Sequence, residues 1–254
     1  MNYITVSFHP QNGRIAGQHI TMRGLHGLLF NVLKQVNEET AAWLHKHPSP
    51  KPFSMVPYYT NDGHLAGLRY ALITDAALDI MLRAWQFATH QRTPLHLGRQ
   101  SFTINNVECI EGPDFLTLAN LTPHHQMQLE FVSPTAFRQG PGHLPLPLPG
   151  NVFRWPFNVW QRYAPERLRI HESWLDWCAK NVFVTAHRIE TAVITINLRN
   201  GRSDDFIGFV GPVTFHAQSK DDEALRIWQA LGKLAAFSGV GHKTTMGMGA
   251  VTIS

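Results

Sequence analysis

The sequence predicts an α+β protein made of two successive βαββαβ halves. Segments of alternating apolar residues and segments of helical periodicity follow one another in the same order twice. The 254 residues give room for one large domain or two of roughly 120 each. A hydrophobic content of 44% with mean hydropathy of −0.16 marks a folding chain, and apolar runs such as "IETAVITI" are far too short to span a bilayer.

The elements justify this order one by one. Tyr3 to Phe8, "YITVSF", alternates and is rich in β-formers. Leu25, Leu28, Leu29, Val32, Leu33 and Val36 then recur at helical spacing, and "EETAAWLHKH" continues as a second helix. "KPFSMVPYY" and "GLRYALIT" read as strands joined through the turn-like "TNDG". "DAALDIMLRAWQFATHQ" is an amphipathic helix with Asp75 as its expected N-cap, and "QSFTINNVECI" is a strand. A boundary falls between residues 112 and 124, giving domains of 1–115 and 116–254.

The second half repeats the order with longer insertions. "MQLEFVSPTAF" is a strand, and "RQGPGHLPLPLPGN" reads as a loop too rich in Gly and Pro for regular structure. "VFRWPFNVWQRYAP" and "HESWLDWCAKN" are helical. Strands "VFVTAHRI…AVITINLR" and "DDFIGFVGPVTFHA", the helix "DDEALRIWQALGKLAAFS" and a last strand "GAVTIS" complete it. Each half therefore fits the ferredoxin-like pattern.

Charge and cysteines narrow the function classes. A net charge of +4, a pI near 9.2 and 15 histidines permit an anionic partner such as nucleic acid without demanding one. Cys109 and Cys178 form neither a disulfide framework nor a metal-ligand spacing. "MNYITVSFHP" lacks the basic and apolar regions of a secretion signal, so a reducing cytoplasm is the expectation.

The most specific stretch is "FSGVGHKTTMGMGAV", Phe237 to Val251. Gly239, Gly241, Gly247 and Gly249 can take positive φ and admit another backbone closely. Exposed N–H groups here would make a concave anion site, with His242 and Lys243 in reach of phosphates. The stretch is neither a P-loop nor a dinucleotide fingerprint, since it lacks GK[ST] and precedes a strand. A glycine-rich turn without ligand fits the same pattern.

This stretch resembles the C-terminal glycine-rich signature of the CRISPR-associated endoribonucleases that cut the precursor of CRISPR RNA, the Cas-six family of the RAMP superfamily. Gly239, Gly241, Lys243, Gly247 and Gly249 match it. "LEFVSPTAFR" is similar to the family's mid-chain strand, and "GLHGLLFNVLKQVNEETAAWLHKHPSPKPFS" to its first helical region. The resemblance implies two tandem ferredoxin-like (RRM-like) domains, with the glycine loop in the second supporting an RNA-facing cleft. It implies cleavage of CRISPR repeat RNA without metal or other cofactor, by 2′-OH attack leaving a 2′,3′-cyclic phosphate and a 5′-OH. The alternative is a non-catalytic RNA-binding RAMP scaffold of an effector complex. Partners implied are the repeat RNA and other Cas proteins, with no membrane, for a monomer or homodimer. An enzyme acting on a small phosphorylated ligand is a third reading.

The chemistry needs a base for the 2′-OH, an acid for the 5′-oxygen and positive charge on the phosphorane. Histidine serves the first two roles, and lysine or arginine the third. By the resemblance, the catalytic histidine falls on His45, with His47 as its rival two residues on, and its basic partner on Lys51. A tyrosine common in the family falls on Phe30, which can neither give nor take a proton. Arg23, His26, Phe30 and Lys34 share one helix face opposite the leucines, so His26 and Arg23 offer replacements. His26 and His45 are the acid–base pair in either order; Arg23 and Lys51 stabilise phosphate. The absence of a carboxylate cluster or Cys/His metal spacing agrees with a metal-free route. His9, His19 and His64 are weaker candidates. Arg138, His143, Arg154, Arg162, Arg167 and Arg169 are RNA contacts or a solvated face. Trp155, Trp160, Trp174 and Trp177 are core or stacking residues.

Overall fold

The computed structural model describes residues 1–253 except 12, 18, 19 and 198–202. His19 and the end of the strand expected through Leu198 and Arg199 lie outside the described residues, as does Ser254. The chain divides into two compact units, Met1–Gly112 with Thr245–Gly247, and Pro113–Thr244 with Met248–Ser254. No helix among the described residues is long and apolar enough to cross a membrane.

The first unit runs β1 (Asn2–Pro10), α1 (Met22–Val36), α2 (Glu38–Lys46), β2 (Phe53–Tyr59), β3 (Leu65–Leu72), α3 (Asp75–Gln91), β4 (Leu95–Leu97) and β5 (Gln100–Glu111). Its antiparallel sheet has the order β2-β3-β1-β5-β4. Without β4 that is the ferredoxin-like order. Ile4 and Val6 of β1, Leu68 and Tyr70 of β3 and Phe102 of β5 face Leu29 and Val32 of α1 and Met81 and Trp85 of α3 in one core. Each of these side chains contributes about 1.5–3 kcal/mol on burial, which is what fixes the helices to the sheet.

Local chemistry sets the helix ends. Thr21 caps α1, its hydroxyl accepting from the Gly24 N–H at 3.0 Å. Asn37 closes α1, donating its N–H to the Leu33 carbonyl, and opens α2, its Oδ1 accepting from the Thr40 N–H at 2.8 Å. One residue thus makes a corner that folds α2 back beside α1. α3 is capped by Thr74, not by the expected Asp75: the Thr74 hydroxyl accepts from the Ala77 N–H at 3.2 Å, and Asp75 sits in the first turn.

The second unit runs α4 (Phe115–Ala119), β6 (Gln126–Thr135), β7 (Phe137–Gln139), β8 (Gly142–Leu144), α5 (Pro149–Tyr163), α6 (Ser173–Asn181), β9 (Val182–His187), β10 (Glu190–Asn197), β11 (Ser203–Ala217), α7 (Asp222–Ser238) and β12 (Val251–Ile253). Its sheet order is β10-β11-β6-β12, again the ferredoxin-like order, with β9 paired to the far half of β11. β9 and β10 together fill the second-strand place. Between them β11 carries a bulge at Gly211, whose φ of +113° and whose distance of 2.2 Å from a built Cβ to the Arg188 carbonyl both require glycine.

The segment expected to be an irregular loop after β6 instead forms the β7–β8 hairpin, turning at Gly140 with φ +56°. Glycine at positive φ makes a tight turn from a run whose Pro and Gly content argued against strands. The tryptophans are structural. Trp160 and Trp174 are buried, and the indole N–H groups of Trp155, Trp160, Trp174 and Trp177 donate to Ser238, Leu168, Ala224 and Ser219 at 2.7–3.2 Å.

Candidate active site

The corner at Asn37 brings the last turn of α2 over the first half of α1. There the imidazoles of His26 and His45 stand with ring centroids 6.0 Å apart, both against the Phe30 ring. Phe30 lies 4.8 Å from His26 and meets His45 edge-on at 5.0 Å. Phe30 does not share the solvent-facing stripe of Arg23 and Lys34. It is 7% exposed and belongs to the core, because α2 covers that part of α1. Arg23 and Lys34 are exposed, Arg23 one turn before His26.

His26 is half-buried, and its Nδ1 lies 3.1 Å from the backbone carbonyl of Thr245, a residue of the first unit. A carbonyl only accepts, so Nδ1 carries the proton, and Nε2 of the neutral ring keeps its lone pair. Burial holds the His26 pKa below its ordinary value, the neighbouring His45 and Lys51 charges add to this, and the Thr245 hydrogen bond opposes it. His26 is thereby a neutral imidazole with an available acceptor nitrogen. His45 is exposed.

Lys51 donates from Nζ to the carbonyls of Leu44, at 3.0 Å, and His45, at 2.5 Å. It closes the C-terminal end of α2 beside His45, and burial lowers its pKa. His47 turns the other way: its ring packs edge-on against Trp43 at 5.2 Å, and its Nδ1 bonds the Pro48 carbonyl at 2.9 Å. Geometry favours His45 over His47.

The glycine-rich loop follows α7. Gly239, Gly241, Gly247 and Gly249 have φ of +67°, +81°, +93° and +69°, and all four are buried. A Cβ on Gly241 would sit 2.4 Å from the Ala136 carbonyl, and one on Gly249 2.0 Å from that of Val240. The expected row of exposed N–H groups is not what these glycines make. Val240 N–H bonds the Gly249 carbonyl, His242 N–H that of Ala136, Met248 N–H that of Lys243 and Gly249 N–H that of Pro134. The glycines serve close packing of backbone on backbone.

His242 and Lys243 end the tight part of the loop. The His242 ring lies 5.1 Å from His143 and 5.0 Å from Phe206, while Lys243 Nζ stands 5.4 Å over Phe206. Burial pushes the His242 pKa down to about 4, with His143, Lys243 and Arg138 adding to the effect. Arg138 at the hairpin and Arg154 on α5 are exposed, as are Arg162, Arg167 and Arg169. The first unit thus gathers His26, His45 and Lys51, and the second gathers His143, His242 and Lys243. No side-chain pattern in the sequence announces Thr245, which meets His26 through its backbone carbonyl.

Residues 129–251 match the model of the family described as CRISPR-associated endoribonuclease Cas6. No curated protein matches the chain by sequence. Among solved structures, the chain is similar to a Thermus thermophilus Cas6 (TTHB231) in a product complex, with TM-score 0.83 and 24% identity over 100% of this chain and 99% of that one. It is similar to a Cas6 (TTHA0078) substrate mimic complex, with TM-score 0.75 and 22% identity over 99% of each chain. A RAMP protein described as binding different RNA substrates superposes with TM-score 0.61 and 11% identity over 100% of both chains. The tandem ferredoxin-like fold expected from the sequence is the fold of these structures, and the resemblance to the Cas-six family is borne out over residues 129–251 by the family model.

Proposed function

Starting from a chain whose residues 129–251 match the Cas6 family and whose whole fold agrees with Cas6 structures, we propose that it is an endoribonuclease cutting CRISPR repeat RNA in precursor transcripts to release CRISPR RNAs. The observation that carries this reading is the pair of imidazoles 6.0 Å apart, one exposed and one half-buried. A scaffold subunit would have no need to hold two histidines together outside its core. Support also comes from the product and substrate-mimic complexes named for the similar structures.

The reaction uses the two rings in order. Nε2 of His26 takes the proton of the ribose 2′-OH, and the 2′-oxygen attacks phosphorus. The bond from phosphorus to the 5′-oxygen breaks as protonated His45 gives that oxygen its proton. The products are a 2′,3′-cyclic phosphate and a 5′-OH. Arg23 supplies positive charge to the phosphorane, and Lys51 holds the His45 turn while adding its own charge. Proton transfer by imidazole accounts for the acid–base steps, so the reaction as proposed calls on no metal.

In this reading residues 1–115 carry the chemistry and residues 116–254 hold RNA. Arg138, Arg154, His242 and Lys243 contact phosphates, while Gly239, Gly241, Gly247 and Gly249 shape the loop that presents the last two. The protein works in the cytoplasm, alone or with other Cas proteins. The test is cleavage of the host's own repeat RNA in EDTA by wild type, His45→Ala and His26→Ala. One cut leaving a 5′-OH, lost in both variants while RNA binding persists, is expected. Wild-type protein that binds the repeat and never cuts it would instead establish the scaffold role.

A further inference from the structure

Three residues of the glycine loop, Thr245–Gly247, belong to the first unit, while the residues on either side belong to the second. The chain leaves at Thr244 and returns at Met248. Both ends of the excursion are anchored by glycine. The buried Thr244 side chain fits only because Gly239 and Gly249 lack a Cβ, which would stand 2.8 Å and 3.3 Å from Thr244 Cγ2. Gly247, at φ +93°, lies where a Cβ would meet Pro57 Cδ of β2 at 3.2 Å. Between the anchors a 3-10 turn spans Thr244–Met246. Its middle carbonyl, that of Thr245, is the one on His26 Nδ1.

We propose that the glycine-rich loop is a positioning device for the nuclease: it delivers the Thr245 carbonyl to His26 and so fixes the ring with Nε2 as its proton acceptor. In water a neutral imidazole populates both tautomers. One of them places its only lone pair on Nδ1, where the 2′-OH does not reach. A carbonyl at Nδ1 selects the other tautomer and holds the ring plane. The donor's partner is main chain, so the sequence must specify a backbone path instead of a side chain. This explains why four glycines and a buried threonine are spent on one turn. Thr245 is a positioning residue; it touches His26 and not the RNA. The titratable groups acting on His26 are His45 on α2 and Lys51 after it, while Arg23 sits exposed one turn earlier on its own helix.

The inference rests on reading His26 as the base, and its test separates the two. The full-length chain is assembled by ligating a synthetic C-terminal peptide in which Met246 is replaced by its α-hydroxy acid. Thr245 then keeps its carbonyl in place as an ester, a weaker acceptor. Nitrogen-15 NMR of labelled His26 reads the tautomer without any catalysis. The wild type should show a single Nδ1–H form, and the ester protein a mixture. The ester protein should cut repeat RNA in single turnover roughly 3- to 10-fold more slowly, a loss of about one weakened hydrogen bond. Its acid limb should move to lower pH, since the bond that raises the His26 pKa is weaker, while RNA affinity stays the same. Gly247→Ala, which displaces the turn, should act in the same direction. A wild-type His26 found as the Nε2–H form overturns the inference. So does an ester protein with wild-type rate and pH profile when His26→Ala is inactive. A His26→Ala protein that still cuts overturns the base assignment itself.

Discussion

Gly249→Ala tests whether the loop's glycines are there for packing. An alanine at φ +69° is forced into the left-handed region, at about 1–2 kcal/mol. Its Cβ would sit 2.0 Å from the Val240 carbonyl, which is backbone and cannot rotate away. The two arms of the loop must part. That endangers the Val240 N–H bond to the Gly249 carbonyl, at 2.7 Å, and the Gly249 N–H bond to Pro134, at 3.0 Å. Each buried group left unsatisfied costs about 1–3 kcal/mol, so with both bonds lost the total is on the order of 3–8 kcal/mol. Gly140→Ala is the matched control: φ is +56° there, yet a Cβ meets nothing within 4 Å, so only the same conformational cost of about 1–2 kcal/mol remains. Urea unfolding followed by tryptophan fluorescence measures both, because Trp155, Trp160, Trp174, Trp177 and Trp228 report on the second unit. Equal losses for the two variants would refute the packing argument and return the loop to a ligand-binding role.

Further outcomes follow from the same geometry. The pH–rate profile of cleavage should keep its acid limb below the ordinary histidine value of 6.5, because His26 with a lowered pKa stays a free base into more acid solution; a limb above 6.5 would contradict it. Stability should fall as pH drops from about 6.5 to about 4, since the unfolded chain binds a proton over that window that folded His242 refuses. Denaturation midpoints of His242→Gln measured across that window should be flatter than those of the wild type. Lys51→Met removes the donor to the Leu44 and His45 carbonyls, so helix stability should drop by about 1 kcal/mol in urea titrations and the cleavage rate with it. RNA binding should weaken with salt, and Arg138→Ala should lower the slope of log affinity against log salt by about 1, measured by filter binding.

The sequence showed the fold more clearly than the site. The leucines of α1 and the alternation in β1 are set by burial, which writes a periodic pattern. The β7–β8 hairpin was hidden because Gly140 and its neighbouring prolines are turn signals whether or not short strands flank them. Thr74 and Asp75 are both good capping residues, and only the backbone dihedrals choose between them. His26 was legible from its helix face. Its partner was not, since Thr245 contributes a carbonyl common to every residue. Phe30 leaves the polar stripe that helical spacing assigns it because a second helix lies over that part of α1.

The excursion of Thr245–Gly247 bears on when the proposed site becomes complete. His26 and His45 are translated well before Thr245–Gly247, the turn that completes their unit. If His26 works only with that carbonyl in place, then nascent chains and prematurely terminated ones hold both histidines and cut nothing. The order of synthesis would then act as a safeguard, keeping the proposed activity silent until Thr245 has been translated.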